Sequence, residues 1–172
     1  MTAAVVAESV AKLDVSRALH SDSRRLCVAL SDPSWLGQIV SPPPDRPDLV
    51  RVETDVAFIL RNDGREITFK KAALIDVGMG PAGATGCVGE IGWRASSFSP
   101  LFPVFAGRLS ITGNRIALQG VYAPPGGQLG LLIDKSMIHG FAEKTARWLL
   151  DKIVAEFRER EIAENRRAAQ AR

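Results

Sequence analysis

Tyr122 and His139 are the two polar side chains best placed for chemistry in the stretch GVYAPPGGQLGLLIDKSMIHG, residues 120–140. A histidine side chain titrates near neutral pH and can act as a general acid or base, and a tyrosine hydroxyl both donates and accepts hydrogen bonds. Prolines and glycines at 124–127 end a strand and let the chain reverse. This break puts Tyr122 at the mouth of any cavity, and the pair are the catalytic candidates. The alternative is that a lone histidine near a helix start is an ordinary surface residue.

Other reaction types find little support. No HExxH, HxxxH or Cys/His cluster is present, so no metal site built by the protein is expected and no cofactor is predicted. The glycine-rich segment 78–86 lacks the Lys-Ser/Thr ending of a P-loop, and no predicted helix follows its glycines as the GxGxxG motif requires. This favours a loop between strands. No serine lies in a GxSxG context. His20 lies at a strand end and carries less weight than His139.

Several charged side chains lie on the candidate strand near residue 93 and on a likely neighbour. Alternation places Glu90 and Arg94 on one face of this strand and Trp93 on the other, with Arg108 on a neighbouring strand. On an inner face these side chains would anchor a carboxylate or a polar head group. On an outer face they form a surface cross-strand cluster. The opposite placement of Trp93 favours the outer face.

The two cysteines, Cys27 and Cys87, have no CxxC spacing. One disulfide is possible, but two isolated cysteines are more typical of buried thiols in a reducing compartment. The apolar N-terminal run lacks a basic leader and is too short for a membrane span. The sequence therefore predicts a cytoplasmic protein without an integral membrane segment.

Composition limits the remaining classes of function. The chain has 172 residues, of which 46% are hydrophobic, enough for the core of one ordinary domain. The net charge of +3 is spread along the chain without a Lys/Arg block. A nucleic-acid partner is therefore not expected.

Alternating apolar and polar residues predict six clear strands. The strongest pattern is a hairpin, VRVETDVAFILR followed by EITFKKAALIDV, with Asn62-Asp63-Gly64 as its turn. A short helix follows the capping residues Ser21-Asp22-Ser23 and ends before Pro33. The predicted strands cover residues 10–19, 50–61, 66–77, 87–96, 104–111 and 115–123.

After residue 127 the period changes from two to about 3.6, which predicts a long C-terminal helix. Beyond Phe157 the chain is charged and nearly free of large apolar groups, as in a solvated helix end or a tail. Residues 1–158 are therefore predicted to form one domain and 159–172 its charged extension. The predicted apolar stripe of the helix consists of Ile138, Phe141, Thr145, Trp148, Leu149 and Ile153.

The fold class that follows is α+β, a curved antiparallel sheet of about six or seven strands whose dry face is covered by the C-terminal helix. Three passages carry a family resemblance: VAKLDVSRALHSDSRRLCVALSDPSWLGQI, the alternating strands, and the long helix after the Pro/Gly break. Over residues 8–158 this order resembles the helix-grip superfamily (SRPBCC), which includes START-like, pollen-allergen-like and polyketide-cyclase-like proteins. This superfamily usually has seven strands, so one strand is hidden in the sequence or the sheet is short.

The resemblance implies a cavity between sheet and helix that binds a hydrophobic small molecule such as a lipid or polyketide. The same scaffold also supports cyclase, dehydratase or hydrolase enzymes, and a third possibility is a cavity-poor interaction protein that uses the loop FSPLFP. The sequence does not decide whether the protein is a monomer or a homodimer. The alternative for every candidate lining residue is packing in a dry core. These candidates are Phe58, Phe69, Trp93, Phe105, Leu118, Tyr122, Phe141, Thr145 and Trp148.

Overall fold

A computed structural model of the protein describes residues 11–62, 65–97, 104–123 and 135–171, without the side chains at 58–62, 65–67, 69, 135–138 and 141. Two helices, one short 3-10 helix and seven strands occur in these ranges. In chain order they are β1 (Ala11–Ala18), α1 (Ser23–Leu30), the 3-10 helix (Pro33–Leu36), β2 (Gln38–Val40), β3 (Val50–Asn62), β4 (Arg65–Met79), β5 (Gly86–Ala95), β6 (Val104–Thr112), β7 (Arg115–Ala123) and α2 (Lys135–Gln170).

The strands form one sheet in the order β1-β7-β6-β5-β4-β3-β2, and all neighbours are antiparallel. The predicted α+β class, with an antiparallel sheet followed by a C-terminal helix, is confirmed. The strand hidden in the sequence is β2, which places Ile39 opposite Val52 at the sheet edge. Its three residues are too few to produce a recognisable alternation.

The predicted hairpin is present, and so is a second one, which the neighbouring predicted strands 104–111 and 115–123 indicate. In the first, β3 pairs with β4 from Val50 opposite Val77 to Asn62 opposite Arg65, while the predicted turn residues 63–64 lie outside the described part of the chain. In the second, the β6–β7 turn contains Gly113 at φ 56°, the left-handed region that glycine adopts without steric cost. The register set by these hairpins decides which side chains face α2.

Helix α2 packs against the inner face of the sheet and contacts β1, β3 and β7. The predicted stripe is partly right, because Thr145, Leu149 and Ile153 are buried while Trp148 is only half-buried. Two alanines belong to the buried face, and their small side chains let the helix approach the sheet closely. The predicted stripe contains only larger residues and does not include these alanines. The described buried residues of α2 are Ala142, Thr145, Ala146, Leu149, Leu150, Ile153 and Phe157.

Helix α1 begins at the predicted cap, where the Asp22 carboxylate accepts hydrogen bonds from the backbone N–H groups of residues 24 and 25. Its buried face includes Cys27, which forms a disulfide with Cys87 on β5 across a Cα–Cα distance of 5.9 Å. The prediction of free thiols is therefore wrong. Packing of α1 on the sheet brings together two residues that are 60 positions apart, which no local pattern reveals.

The charged extension continues α2 as a helix with mostly exposed side chains. Arg25 of α1 reaches it and forms ion pairs with Glu161 at 3.1 Å and Glu164 at 2.8 Å. Among the described helices, none has the length and apolarity required to cross a membrane.

Candidate functional site

Three aromatic side chains lie side by side on the inner face of the sheet. Trp93 on β5 is the cross-strand partner of Phe105 on β6, which is in turn the partner of Tyr122 on β7. The Trp93 and Phe105 rings stack with their centroids 4.1 Å apart and their planes at 15°. We call these three residues the aromatic row. All three are buried, so the row forms part of the hydrophobic core.

Two glycines make room for the Phe105 ring. A Cβ atom added at Gly107 would lie 2.5 Å from Phe105 Cζ, and one added at Gly120 would lie 2.8 Å from the same atom. Both distances are too short for any larger residue. The phenyl ring therefore occupies the space above these two glycines on the inner face. Leu118, another predicted lining residue, is buried opposite Leu109.

The indole of Trp93 has an unusual environment. It is 2% exposed, and its Nε1–H has no hydrogen-bond partner among the described residues. A buried donor without an acceptor costs about 1–3 kcal/mol relative to a satisfied one. The sequence pattern predicts Trp93 as a lining residue but does not predict its role as a hydrogen-bond donor. The sequence offers no signal for this, since satisfaction of a donor depends on the tertiary neighbours.

The structure brings together the two catalytic candidates. The Tyr122 hydroxyl lies 3.2 Å from Nδ1 of His139, although the two residues are on opposite sides of the strand break. Tyr122 is buried and His139 is exposed, so the contact joins the core to solvent at the start of α2. Burial raises the pKa of Tyr122 above its ordinary value of 10.0. At neutral pH its hydroxyl is therefore protonated and can donate to an unprotonated Nδ1.

The ionisation of Tyr122 can be measured directly, because it is the only tyrosine in the chain. We expect the ultraviolet tyrosinate signal of the folded protein to appear with a midpoint above pH 10.0. A raised folded-state pKa means that this group contributes stability below its unfolded pKa. That stability is lost as pH rises through the folded pKa. A midpoint at or below that of the urea-unfolded protein would contradict the burial of this hydroxyl.

Of the remaining predicted lining residues, two are described by the structure and three have side chains outside its described part. Thr145 is buried on α2, and Trp148 is half-buried with Nζ of Lys152 at 5.9 Å from its ring. Residues 58 and 69 are cross-strand partners in the β3–β4 hairpin. The side chains of Phe58, Phe69 and Phe141 fall outside the described part, as do Phe98, Leu101 and Phe102 of the predicted interaction loop.

The charged cluster occupies the outer face of the sheet, as the alternation favoured. Glu90, Arg94 and Arg108 are exposed there, opposite the buried Trp93. Glu90 binds neither arginine of the predicted cluster. Its carboxylate instead accepts a hydrogen bond at 2.6 Å from Arg46, which lies in the proline-rich loop 41–49 between β2 and β3. Together with Arg46, these three side chains line a groove of about 630 Å³.

Within residues 11–62, 65–97, 104–123 and 135–171, no three His, Cys, Asp or Glu side chains are grouped so that they could hold a metal ion. The described candidate sites contain aromatic, hydroxyl and imidazole groups on the inner face and guanidinium and carboxylate groups on the outer face.

Known proteins show little similarity to this chain. No protein-family model matches the chain, and no curated protein matches it. A solved structure of a hypothetical protein from Helicobacter pylori is similar at a TM-score of 0.41 and 14% identity, covering 86% of this chain and 87% of that one.

Proposed function

We propose that this protein is a helix-grip domain that binds an apolar small molecule between its sheet and α2, and that the ligand carries a hydrogen-bond acceptor. The order of elements supports the fold assignment, since one strand and a short helix precede six strands and a long terminal helix. The observation that carries the ligand assignment is the buried, unpartnered Nε1–H of Trp93, within the described chain. A carbonyl, carboxyl or hydroxyl oxygen of the ligand would satisfy this donor.

The aromatic row supplies the rest of the recognition. The stacked rings of Trp93 and Phe105 offer a flat apolar wall against which a hydrocarbon or ring system can pack. The Tyr122 hydroxyl and His139 mark the polar end of this wall, near the start of α2. A ligand with an apolar body and one oxygen function, such as a fatty acid, sterol or polyketide, has the required chemistry.

The disulfide changes the expected compartment. The cytoplasmic prediction depended partly on free thiols, whereas Cys27 and Cys87 are bonded to each other. Structural disulfides form and persist in oxidising environments. We therefore propose an oxidising compartment for the folded protein. A thiol count on protein taken from its native source would test this, since two free thiols would return the assignment to the cytoplasm.

Native mass spectrometry before and after organic extraction tests the binding proposal. A copurified apolar mass that disappears on extraction, and a rise in Tm when the extracted protein meets a methyl ketone or a fatty acid, are expected. The matched alkane, which has no oxygen, should raise Tm less. An empty protein that responds to none of these molecules would overturn the proposal.

The role of the Trp93 donor is tested by comparing two tryptophans. Trp93→Phe removes the unpartnered Nε1–H, whereas Trp35→Phe removes an indole N–H that donates to the carbonyl of Ala29 at 2.8 Å. We expect Trp93→Phe to weaken binding of the ketone about tenfold, the size of one hydrogen bond. Binding of the alkane should change less, and Trp35→Phe should leave both affinities unchanged. Equal losses for ketone and alkane would show that Trp93 contributes only packing.

An enzyme of the cyclase, dehydratase or hydrolase type is the second candidate, and the Tyr122–His139 contact favours it. A hydroxyl and an imidazole within 3.2 Å can relay a proton to a bound substrate. A panel of β-keto thioesters would test this with the wild type, Tyr122→Phe and His139→Gln. Turnover that both substitutions abolish, with ligand-induced Tm shifts retained, would establish the enzyme. Turnover that neither substitution changes would exclude Tyr122 and His139 as catalytic residues.

A further inference from the structure

We propose that the outer face of the sheet, opposite the aromatic row, binds a small anion whose carboxylate or phosphate group is attached to an apolar body. The site is the groove of about 630 Å³ formed by β5, β6 and the loop before β3. This proposal is independent of ligand binding under α2, because the two sites lie on opposite faces of the sheet.

The floor of the groove is formed by two small residues. Gly92 on β5 is the cross-strand partner of Ala106 on β6. Arg94 lies two positions beyond Gly92, and Arg108 lies two positions beyond Ala106 on the antiparallel strand. The arginines therefore stand at opposite ends of the small pair, about 13 Å apart along the strands. Both side chains are long enough to reach toward a group bound between them.

The charge of the groove is unevenly compensated. The Asp76 carboxylate receives two hydrogen bonds from Arg51, at 2.6 and 2.8 Å, and the Glu90 carboxylate is bound by Arg46 at 2.6 Å. Arg46 also binds the Asp48 carboxylate at 3.0 and 2.9 Å, so it is shared between two acids. Arg94 and Arg108 form no ion pair or side-chain hydrogen bond with the described residues. Four arginines and three carboxylates therefore leave one net positive charge at the groove, and Arg94 and Arg108 are the guanidinium groups free to bind a ligand.

The kind of ligand follows from these groups. The planar guanidinium presents paired N–H donors that match a carboxylate or phosphate, and two such groups at one groove favour an anion over a cation. Leu49 and Val104 line the same groove with apolar surface, and Val104 is 51% exposed. An acid group on an apolar or planar body would use both the charges and this surface.

The test is a titration of the isotope-labelled full-length protein, followed by the backbone amide signals of Gly92 and Ala106 in NMR spectra. The probes are benzoate and inorganic phosphate, each against sodium chloride at the same ionic strength. We expect both anions to produce saturable shifts, with benzoate tighter if the apolar surface contributes. Tighter phosphate binding would assign the site to free phosphate or to phosphorylated ligands. Shifts no larger than those of chloride would overturn the proposal.

Three variants make the result specific. Arg94→Gln with Arg108→Gln removes two positive charges and should weaken binding at least roughly tenfold. Arg24→Gln removes one positive charge from an exposed position on α1 and should have no effect. Ala106→Leu keeps both charges but fills the floor, so it should also weaken binding. If Arg24→Gln weakens binding as much as loss of Arg94 and Arg108, the effect is general electrostatics and no site exists. Unchanged amide spectra outside the groove confirm that each variant is folded.

Discussion

Replacing both Cys27 and Cys87 with alanine is expected to lower the free energy of unfolding by about 4 kcal/mol. The bond closes a loop with a sequence separation of 60 residues, and the chain-entropy estimate for a loop of that size gives about this value at room temperature. It also ties α1 to β5 in the core, where both cysteines are buried. Alanine is chosen because serine would place an unpaired hydroxyl in this core.

Urea unfolding of the wild type and the double variant measures this loss, with and without a reductant. The reductant should lower the midpoint of the wild type toward that of the double variant and leave the double variant unchanged. If the reductant has no effect on the wild type and two thiols titrate without it, the bond is absent in solution. A single Cys27→Ala change should behave like the double variant, because it also removes the bond.

Much of the fold was predictable because its strongest determinants are local. The alternation in β3 and β4 assigned Val52 and Val56 to the dry face, and the capping carboxylate of Asp22 marked the start of α1. The change of period after residue 127 predicted α2. These patterns arise from side-chain direction within one element, so they can be read from the sequence without any knowledge of tertiary contacts.

The missed features depend on neighbours that are distant in sequence. Strand β2 exists because its residues pair with β3, and the disulfide exists because α1 packs on β5. The same reason limits prediction of the site. The sequence predicted Tyr122 and His139 as catalytic candidates, and the structure brings them together. The sequence could not indicate that Glu90 binds Arg46 and not a neighbouring arginine. Which donor remains unpartnered is likewise a property of the assembled core.

Replacing Phe105 with alanine is expected to cost about 3–5 kcal/mol of stability, the usual loss for a fully buried phenyl ring. The ring fills the space above Gly107 and Gly120 and stacks on Trp93, and these glycines have no side chains that could close the gap. The adjacent Val104→Ala serves as the control, since Val104 is exposed on the outer face. Its cost should stay within about 0.5 kcal/mol.

The space left by Phe105→Ala also decides whether the aromatic row can receive a ligand. An apolar cavity of this kind stays dry and binds small apolar molecules, so benzene should raise the Tm of Phe105→Ala and leave that of Val104→Ala unchanged. Such a gain would show that molecules from solution can enter between the sheet and α2, which binding at Trp93 requires. A loss below about 1 kcal/mol would contradict the packing of this ring. A loss of about 3–5 kcal/mol of stability with no rise in Tm on adding benzene would mean that the core collapses over the glycines. The aromatic row would then act as structural packing alone.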